Sequence, residues 1–425
     1  MSGEGTRGFA QHEGYRGYRS FDYLRPGEDY KAYELTPEID RLPLHDLGLT
    51  EQQRDRAERL LQDSLVISLH DHPQIYPLDM SEAIEYGQGG RYPVGFEALS
   101  YSGIDVMFDS LAGPTGCIAS HYGWTWGDIV YDVGHRLADI AHQDYVRPVH
   151  TIDELRSMHG SGHMGWVLTI EAATMIENDL DRLDVLYGWG VRQMGLVYNE
   201  ANLVGGGLKE SSDGGLTRFG HRVVERMNRL GMSIDLSHAG DRTSLDTIHA
   251  SAAPVMITHA GARGVWPSER MKPDSVLRAL AERGGLLGIE SAPNSTLAPG
   301  VDAHNIETVM RHFEYCAELM GIDHVTLGPD TLYADHRRLH IVFAGHFGSN
   351  VASPDPASPP APGTREGVDP DTPVTTYDHV AGMENPTENF RNAIGWLVQH
   401  GYSDDDIRKV VGGNTLRALE ATWVR

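Results

Sequence analysis

The chain has 425 residues, of which 60 are Asp or Glu and 35 are Lys or Arg, so its formal net charge is −25 at pH 7. Such an acidic chain lacks the basic face that releases counterions from a polyanion, which argues against nucleic acid and anionic membrane surfaces as partners. Hydrophobic residues make up 40% of the chain and charged residues 22%, a globular composition that excludes a mainly disordered protein.

The first residues show no apolar run of the kind found in secretory signal peptides, and no stretch approaches about 18 uninterrupted apolar residues. We therefore expect a cytoplasmic protein with no membrane partner. Its two cysteines, Cys117 and Cys316, lie far apart without CxxC spacing, which favours two buried thiols in a reducing compartment. Neither a disulfide framework nor a thiolate zinc site is expected.

Residues 1–48 are polar, rich in Gly, Arg and Tyr, and have no sustained hydrophobic period. This composition predicts an extended N-terminal arm ahead of one domain over residues 49–425. The arm either straps over its own subunit or exchanges contacts with a neighbouring subunit. Thr50 and Gln53 then form a capping-box signature, which predicts a helix that continues to about Gln62.

Eight short apolar runs follow, each succeeded by a polar turn and a helical pattern. They are Leu65–Leu69, Gly103–Phe108, Trp166–Ile170, Val191–Val197, Met232–Leu236, Val255–Thr258, Leu286–Ile289 and Val325–Leu327. Amphipathic stretches such as Arg218–Leu230 and Asp274–Arg283 lie between them. Strands that alternate with helices require a parallel sheet, and eight such units predict an α/β fold, the closed (β/α)₈ TIM barrel. An open doubly wound sheet is the alternative, but no GxGxxG follows the first strand.

The last part of the chain begins with a proline-rich stretch. Residues 349–373 hold seven of the 22 prolines and predict a long surface loop, which is either disordered or acts as a lid or an oligomer contact. Helical patterns at Glu388–His400, Asp404–Val411 and Thr415–Trp423 then predict C-terminal helices packed on the outside of the barrel.

A His-x-His pair directly follows the first predicted strand. In a chain with 22 histidines such a pair proves little by itself, but His70 and His72 would lie at the carboxyl end of a barrel strand, where barrel active sites are built. Polar residues follow four further strands in the same way: Glu171, His238, His259 and Asp330. Four imidazoles and two carboxylates are suitable donors for one or two divalent cations such as zinc.

Two metal ions in one site need a shared ligand, and a carboxylate can bridge two cations where an imidazole cannot. Glu171 is therefore expected to bridge two metal ions, each held by a pair of histidines. The pairs are His70 with His72 and His238 with His259. Asp330, on the last strand, is expected to carry a proton from the attacking water to the leaving group.

In the sequence blocks around these residues, the chain resembles the membrane-type (renal) dipeptidases, a branch of the metal-dependent amidohydrolase superfamily. The resemblance covers about residues 60–425 and rests on VISLHDHP, LTIEA, the run from NEANLVGGG to DLSH, PVMITHA, SERMKPD, LGPD and the block from GMENP to EATW. It implies a (β/α)₈ barrel that holds two zinc ions per chain and cleaves dipeptides, some of them with a D-residue at the carboxyl side. It also implies a homodimer.

The resemblance places the metal ligands at the same five histidine and glutamate positions. It further implies that Arg270, in SERMKPD, pairs with the substrate carboxylate. A guanidinium group suits that role because it can bind a planar carboxylate with two parallel hydrogen bonds.

Three positions depart from the family pattern. His72 stands where the family usually has Asp, which makes the first metal site less anionic and is expected to weaken the binding of hard metals. Tyr198 stands where the family often has a histidine that stabilises the oxyanion, and since its hydroxyl can donate the same hydrogen bond, it is a candidate catalytic and substrate-binding residue. Ala172 replaces a family glycine, and the second strand ends in DVMFDS, so we expect a different pocket wall.

We therefore predict a metal-dependent hydrolase of dipeptides or similar small carboxylated amides. Two other enzymes remain as alternatives: a relative repurposed for another small amide, for example in secondary metabolism, and a mononuclear decarboxylase or deaminase, which would hold one metal ion per chain. A non-catalytic barrel that serves as a binding scaffold is the alternative from another class. It predicts lost ligands, whereas every expected metal position here keeps a competent donor.

Overall fold

The structure is a computed structural model that describes residues 5–89, 91–111, 125–301, 303–347 and 379–423. Its centre is one parallel sheet. The strands are β1 Ile67–Asp71, β2 Val106–Leu111, β3 Val146–Pro148, β4 Met164–Ile170, β5 Val191–Gly195, β6 Ser233–Asp235, β7 Met256–Ala260, β8 Leu286–Ile289 and β9 Val325–Leu327. Their order is β1-β2-β4-β5-β6-β7-β8-β9, and β3 pairs with β4 beside this path.

Backbone hydrogen bonds between β1 and the chain that follows β9 close the sheet into a barrel. The N–H of Asp330 donates to the carbonyl of His70 at 3.0 Å, and the N–H of His72 donates to the carbonyl of Thr331 at 2.9 Å. The carboxylate of Asp71 accepts two more bonds from Thr331, from its N–H at 2.9 Å and its hydroxyl at 2.7 Å. The predicted (β/α)₈ barrel is confirmed, and its closure places the imidazoles of His70 and His72 beside Asp330.

The strand boundaries differ from the predicted apolar runs by up to three residues, and one strand was not predicted. Strands β1 and β2 lie two to three residues further along the chain than the apolar runs, so His70 and Asp109 belong to strands. The prediction of eight strands also omits β3, whose three residues are Val146, Arg147 and Pro148. One valine followed by two exposed residues gives no apolar run, because β3 lies at the rim and pairs with β4 alone.

Helices cover the outside of the barrel. They are α1 Glu51–Asp63, α2 Ala83–Gln88, α3 Phe96–Ser100, α4 Trp126–Ile140, α5 Ile152–Met158, α6 Asp181–Gly188, α7 Arg218–Leu230, α8 Asp241–Ala250, α9 Asp274–Glu282, α10 Ile306–Met320, α11 His336–Phe347, α12 Asn389–Gln399, α13 Asp404–Arg408 and α14 Asn414–Glu420. The capping box of Thr50 and Gln53 is present and begins α1, as predicted. No helix in the described ranges is long and apolar enough to cross a membrane.

The C-terminal helices pack on the outside, as predicted. Arg56 of α1 pairs with Asp404 at 2.6 Å, which links α1 to α13. The predicted helix Asp404–Val411 is α-helical only to Arg408 and continues as a π-helical turn, Lys409–Gly413. In this turn Gly412 lies against the backbone of Leu65, where a Cβ atom would be 1.9 Å from the carbonyl oxygen.

Of the two cysteines and the proline-rich stretch, only Cys316 lies within the described residues. Cys316 is a free thiol in α10 with no exposed surface, as predicted, and burial raises the pKa of this thiol. Cys117 and the predicted loop 349–373 lie outside the described residues.

The described part of the N-terminal arm lies against its own chain. Asp139 in α4 is fully buried and accepts hydrogen bonds from the hydroxyl of Tyr18 at 2.7 Å and the N–H of Phe21 at 2.8 Å. The hydroxyl of Ser20 donates to its other oxygen. The described contacts of the arm thus lie within its own chain, with Asp139 as the anchor.

We expect Asp139→Ala to lower the free energy of unfolding by about 3 kcal/mol, because three donors of the arm lose their acceptor. Tyr18→Phe removes only one of these bonds and is expected to cost about 1 kcal/mol. Urea denaturation followed by circular dichroism measures both losses. Equal losses in the two variants would contradict the role of Asp139 as the anchor of the arm.

Candidate metal centre

Four imidazoles and two carboxylates lie together at the carboxyl ends of five barrel strands. They are the six residues that sequence analysis proposed as metal ligands and proton carrier: His70, His72, Glu171, His238, His259 and Asp330. The histidines and Glu171 are all at most 7% exposed. The sequence rule that polar residues at the ends of parallel strands meet at one edge therefore holds for all of them.

Glu171 lies between the two histidine pairs. Its Oε1 is 3.0 Å from Nε2 of His238 and 3.4 Å from Nε2 of His259. Its Oε2 is 3.9 Å from Nε2 of His72 and has no hydrogen-bond partner among the described residues. The ligand atoms of His70, His72 and Glu171 lie within 4.8 Å of one another, and so do those of Glu171, His238 and His259. One carboxylate oxygen toward each pair is the arrangement that a bridging ligand requires.

The Nε2 atoms of the imidazoles approach each other closely. They are 3.3 Å apart in the pair His70 and His72, and 3.0 Å apart in the pair His238 and His259. Nitrogen lone pairs at these distances repel one another unless a proton or a cation lies between them. Together with the unpartnered Oε2 of Glu171, this geometry fits divalent metal ions at both pairs.

Hydrogen bonds at Nδ1 orient two of the rings. Nδ1–H of His72 donates to the carbonyl of Ser110 at 3.0 Å, and Nδ1–H of His238 donates to Oδ1 of Asn199 at 2.9 Å. Because both partners accept, the proton of the neutral ring stays on Nδ1, which leaves Nε2 as the atom that faces the centre.

Thr258 orients the other two rings. Its hydroxyl oxygen lies 3.4 Å from Nδ1 of His70 and 2.8 Å from Nδ1 of His259. Asp235, at the end of β6, lies 4.0 Å from Nδ1 of His259 and accepts the N–H of Thr258 at 2.9 Å. The hydroxyl and the carboxylate thus hold the strand that carries His259.

Burial sets the protonation of the ligands. It lowers the pKa of His70, His238 and His259 well below the usual range, so these imidazoles are neutral and can bind a metal. At His72 burial also opposes the charged form, but the hydrogen bond to Asp330 and the charge of Glu171 outweigh it and raise the pKa to about 9. The centre therefore attracts positive charge at the first histidine pair.

Asp330 is held beside the first pair in an unusual backbone conformation. Its φ is 59°, in the left-handed region that costs a non-glycine residue about 1 kcal/mol or more. Its Oδ1 lies 3.1 Å from Nε2 of His72 and 3.6 Å from Nε2 of His70. The bonds of Asp71 to Thr331 that close the barrel hold the chain in this conformation.

Two glycines allow the backbone to approach closely beside the candidate ligands. A Cβ atom on Gly195 would lie 1.9 Å from the carbonyl oxygen of Glu171, and one on Gly328 would lie 1.8 Å from that of Thr258. Any side chain at either position would displace the backbone of Glu171 or of Thr258, the residue before His259.

Tyr198 lies at the second histidine pair. Its ring stacks on His238 with centroids 4.1 Å apart and planes inclined by 17°. Burial raises the pKa of its hydroxyl well above the usual range, so the group stays protonated and remains a hydrogen-bond donor.

Arg270 is 5% exposed and is held by backbone carbonyls next to the candidate metal ligands. It donates to the carbonyl of Ser237 at 3.1 Å and to that of His259 at 2.9 Å, and it forms an ion pair with Glu290. Glu290 has no exposed surface, and burial raises the pKa of its carboxyl to about 7. Ligand atoms of Glu290, His259 and Asp330 lie within 4.8 Å of one another, so Glu290 belongs to the centre.

Sequence analysis missed four residues of this site. They are Asn199, Asp235, Thr258 and Glu290. For Glu290 a signal exists, because it directly follows the apolar run of β8 in the way that Glu171 follows β4.

A sequence model of the membrane dipeptidases, peptidase family M19, matches residues 54–335 of the chain. The chain belongs to the membrane dipeptidase family. Among its relatives, the protein named dipeptidase aclJ of Aspergillus oryzae is 31% identical over 293 residues, which are 68% of this chain and 59% of that protein. An uncharacterised protein in the pqqA 5′ region of Klebsiella pneumoniae is 33% identical over 175 residues, 39% of this chain and 65% of that protein.

The chain spans between 44% and 65% of the length of five curated relatives that it matches. Solved structures show the same fold. An amidohydrolase from Pseudomonas aeruginosa has a TM-score of 0.67 and 23% identity, over 86% of this chain and 99% of that one. A metallopeptidase from Rhodobacter sphaeroides, liganded with a phosphinate mimic of L-Ala-D-Ala, has a TM-score of 0.61 and 21% identity, over 85% of this chain and all of that one.

We expect Glu171→Gln to lower the metal content of the protein. Glutamine keeps the shape of the side chain but loses the negative charge with which a carboxylate bridges two cations, so the content should fall from about two divalent ions per chain to about one or none. Plasma mass spectrometry after loading with zinc and dialysis measures the content.

A matched control is Glu384→Gln, which neutralises a buried glutamate paired with Arg41 rather than with the centre. It should keep the full metal content. A Glu171→Gln protein that keeps it as well would show that Glu171 is not a metal ligand.

Proposed function

We propose that the chain hydrolyses the amide bond of a dipeptide or a similar small carboxylated amide, with two divalent metal ions held by its two histidine pairs. The observation that carries the proposal is the position of Glu171, with one oxygen toward each pair. Membership in the membrane dipeptidase family supports dipeptides as the substrate class. The name of the Aspergillus oryzae relative supports it as well.

Two divalent ions in such a site supply Lewis acidity toward the scissile carbonyl and activate water near neutral pH. Asp330 is the proposed proton carrier, because its Oδ1 lies 3.1 Å from Nε2 of His72, beside the first histidine pair. In this role it accepts a proton from the attacking water and donates it to the departing nitrogen. Its fixed backbone conformation keeps the carboxylate in place for both transfers.

Tyr198 and Arg270 act on the substrate. The hydroxyl of Tyr198, protonated and carried on a ring that stacks on His238, donates a hydrogen bond to the oxyanion that develops at the scissile carbon. Arg270 uses three of its five N–H donors in the contacts described above, and the other two are available to the carboxyl end of the substrate.

Three finer assignments complete the proposal. Zinc is the proposed metal because imidazole nitrogens and carboxylate oxygens are its usual ligands in catalytic sites. A cytoplasmic location is supported by the free thiol of Cys316, which suits a reducing compartment. A homodimer is proposed from the family resemblance.

The direct test is release of free amino acids from a panel of L,L- and L,D-dipeptides by the zinc-loaded enzyme. We expect turnover, and we expect His238→Ala to abolish it while circular dichroism shows an intact fold. A wild type that holds two metal ions yet cleaves no dipeptide would contradict the substrate class. An active, metal-replete His238→Ala protein would contradict the proposed centre.

For Tyr198→Phe we expect kcat to fall by about 10²-fold with little change in KM, because the ring remains on His238 while the donor to the oxyanion is lost. Steady-state kinetics on the best dipeptide separates the two constants. An unchanged kcat would show that the tyrosine has only a packing role.

A further inference from the structure

The ion pair between Arg270 and Glu290 lies inside the proposed substrate site. Glu290 is fully buried, and one of its oxygens pairs with Nη2 of Arg270. The carbonyls of Ser237 and His259 hold the guanidinium group from the other side, so Arg270 cannot turn away from Glu290. A ligand that reaches Arg270 therefore meets the carboxylate as well.

The second oxygen of Glu290, Oε1, is buried and has no partner within hydrogen-bond distance among the described residues, although the hydroxyl of Ser295 interacts with this carboxylate. An unsatisfied buried acceptor costs free energy, which a donor on a bound ligand recovers. The carboxylate also lies close to the reacting groups, since its ligand atom is within 4.8 Å of those of His259 and Asp330. The carboxylate is thus positioned beside a bound substrate.

A lone arginine complements a free carboxylate, because both of its parallel N–H groups donate. An arginine beside a glutamate presents donors and an acceptor together, and a carboxamide complements that combination with its own C=O and NH₂ groups. A free carboxylate bound at the same place would lie beside the ionised form of Glu290, a like charge that costs binding energy.

We propose that Glu290 is a specificity-determining residue, through which the site accepts amides with an uncharged, carboxamide-like carboxyl end at least as well as those with a free carboxylate. This inference rests on the proposed amide hydrolysis and narrows its substrate class. Glu290 accepts a hydrogen bond from the NH₂ group of such an end, and Arg270 donates one to its carbonyl oxygen.

The test compares L-Ala-D-Ala with its C-terminal amide in wild type and in Glu290→Gln. Both substrates release L-alanine, which chromatography measures. In the wild type we expect the two kcat/KM values to lie within about tenfold of each other. In Glu290→Gln the like charge is gone, so the ratio of acid to amide should rise by about tenfold or more, mainly through a lower KM for the acid.

Glu384→Gln is the matched control, since it makes the same change in another buried glutamate–arginine pair and should leave the ratio unchanged. If Glu290 only holds Arg270 in place for a substrate carboxylate, the variant would instead lose activity on the acid. A ratio that falls or stays the same in Glu290→Gln overturns the inference.

Calorimetric binding of D-alanine and D-alaninamide to the metal-loaded protein gives a second measurement that needs no turnover. The same shift in the ratio of dissociation constants is expected in Glu290→Gln. If neither dipeptide is cleaved, the proposed function fails while these constants still test Glu290. If the variant does not fold, binding to the wild type still tests the inference. A wild type that binds D-alanine more than about tenfold tighter than D-alaninamide overturns it.

Discussion

The position of one buried carboxylate, Glu171, between two pairs of imidazoles is the constraint on which the rest of the structure depends. Its two oxygens face different pairs, at 3.0 Å from His238 on one side and 3.9 Å from His72 on the other. Bringing these polar groups out of water is costly unless cations compensate them. The close strand approaches at Gly195 and Gly328 have their reason here, because a barrel with side chains at those positions could not hold the groups at these distances.

The closure of the barrel and the geometry of the site depend on the same contacts. The bonds from Thr331 to Asp71 join the first strand to the chain that follows the last, and they also hold Asp330 at a positive φ beside the imidazoles of His70 and His72. Strain of this kind persists only where the surrounding contacts determine the conformation. Asp330, the proposed proton carrier, is thus positioned by the contacts that complete the fold.

The sequence predicted the barrel and the six converging side chains because both follow from a local rule: an apolar strand core and the polar residue that ends it. The same rule applies to Glu290, whose partner Arg270 lies on a loop after another strand, so their pairing is a tertiary contact that spacing does not reveal. Asn199 and Thr258 were not predicted for a related reason, since such polar residues gain their role only from the ring nitrogen that they contact. Strand β3 and the π-helical turn at Lys409–Gly413 also arise from packing against neighbours and leave no hydrophobic period.

The measurement that tests the account most directly is anomalous diffraction at the zinc absorption edge from crystals of the zinc-loaded protein. The account predicts two peaks about 3.5–4 Å apart, one at each histidine pair, with Glu171 between them. A single peak, or two peaks of which neither lies within coordination distance of Glu171, would contradict it.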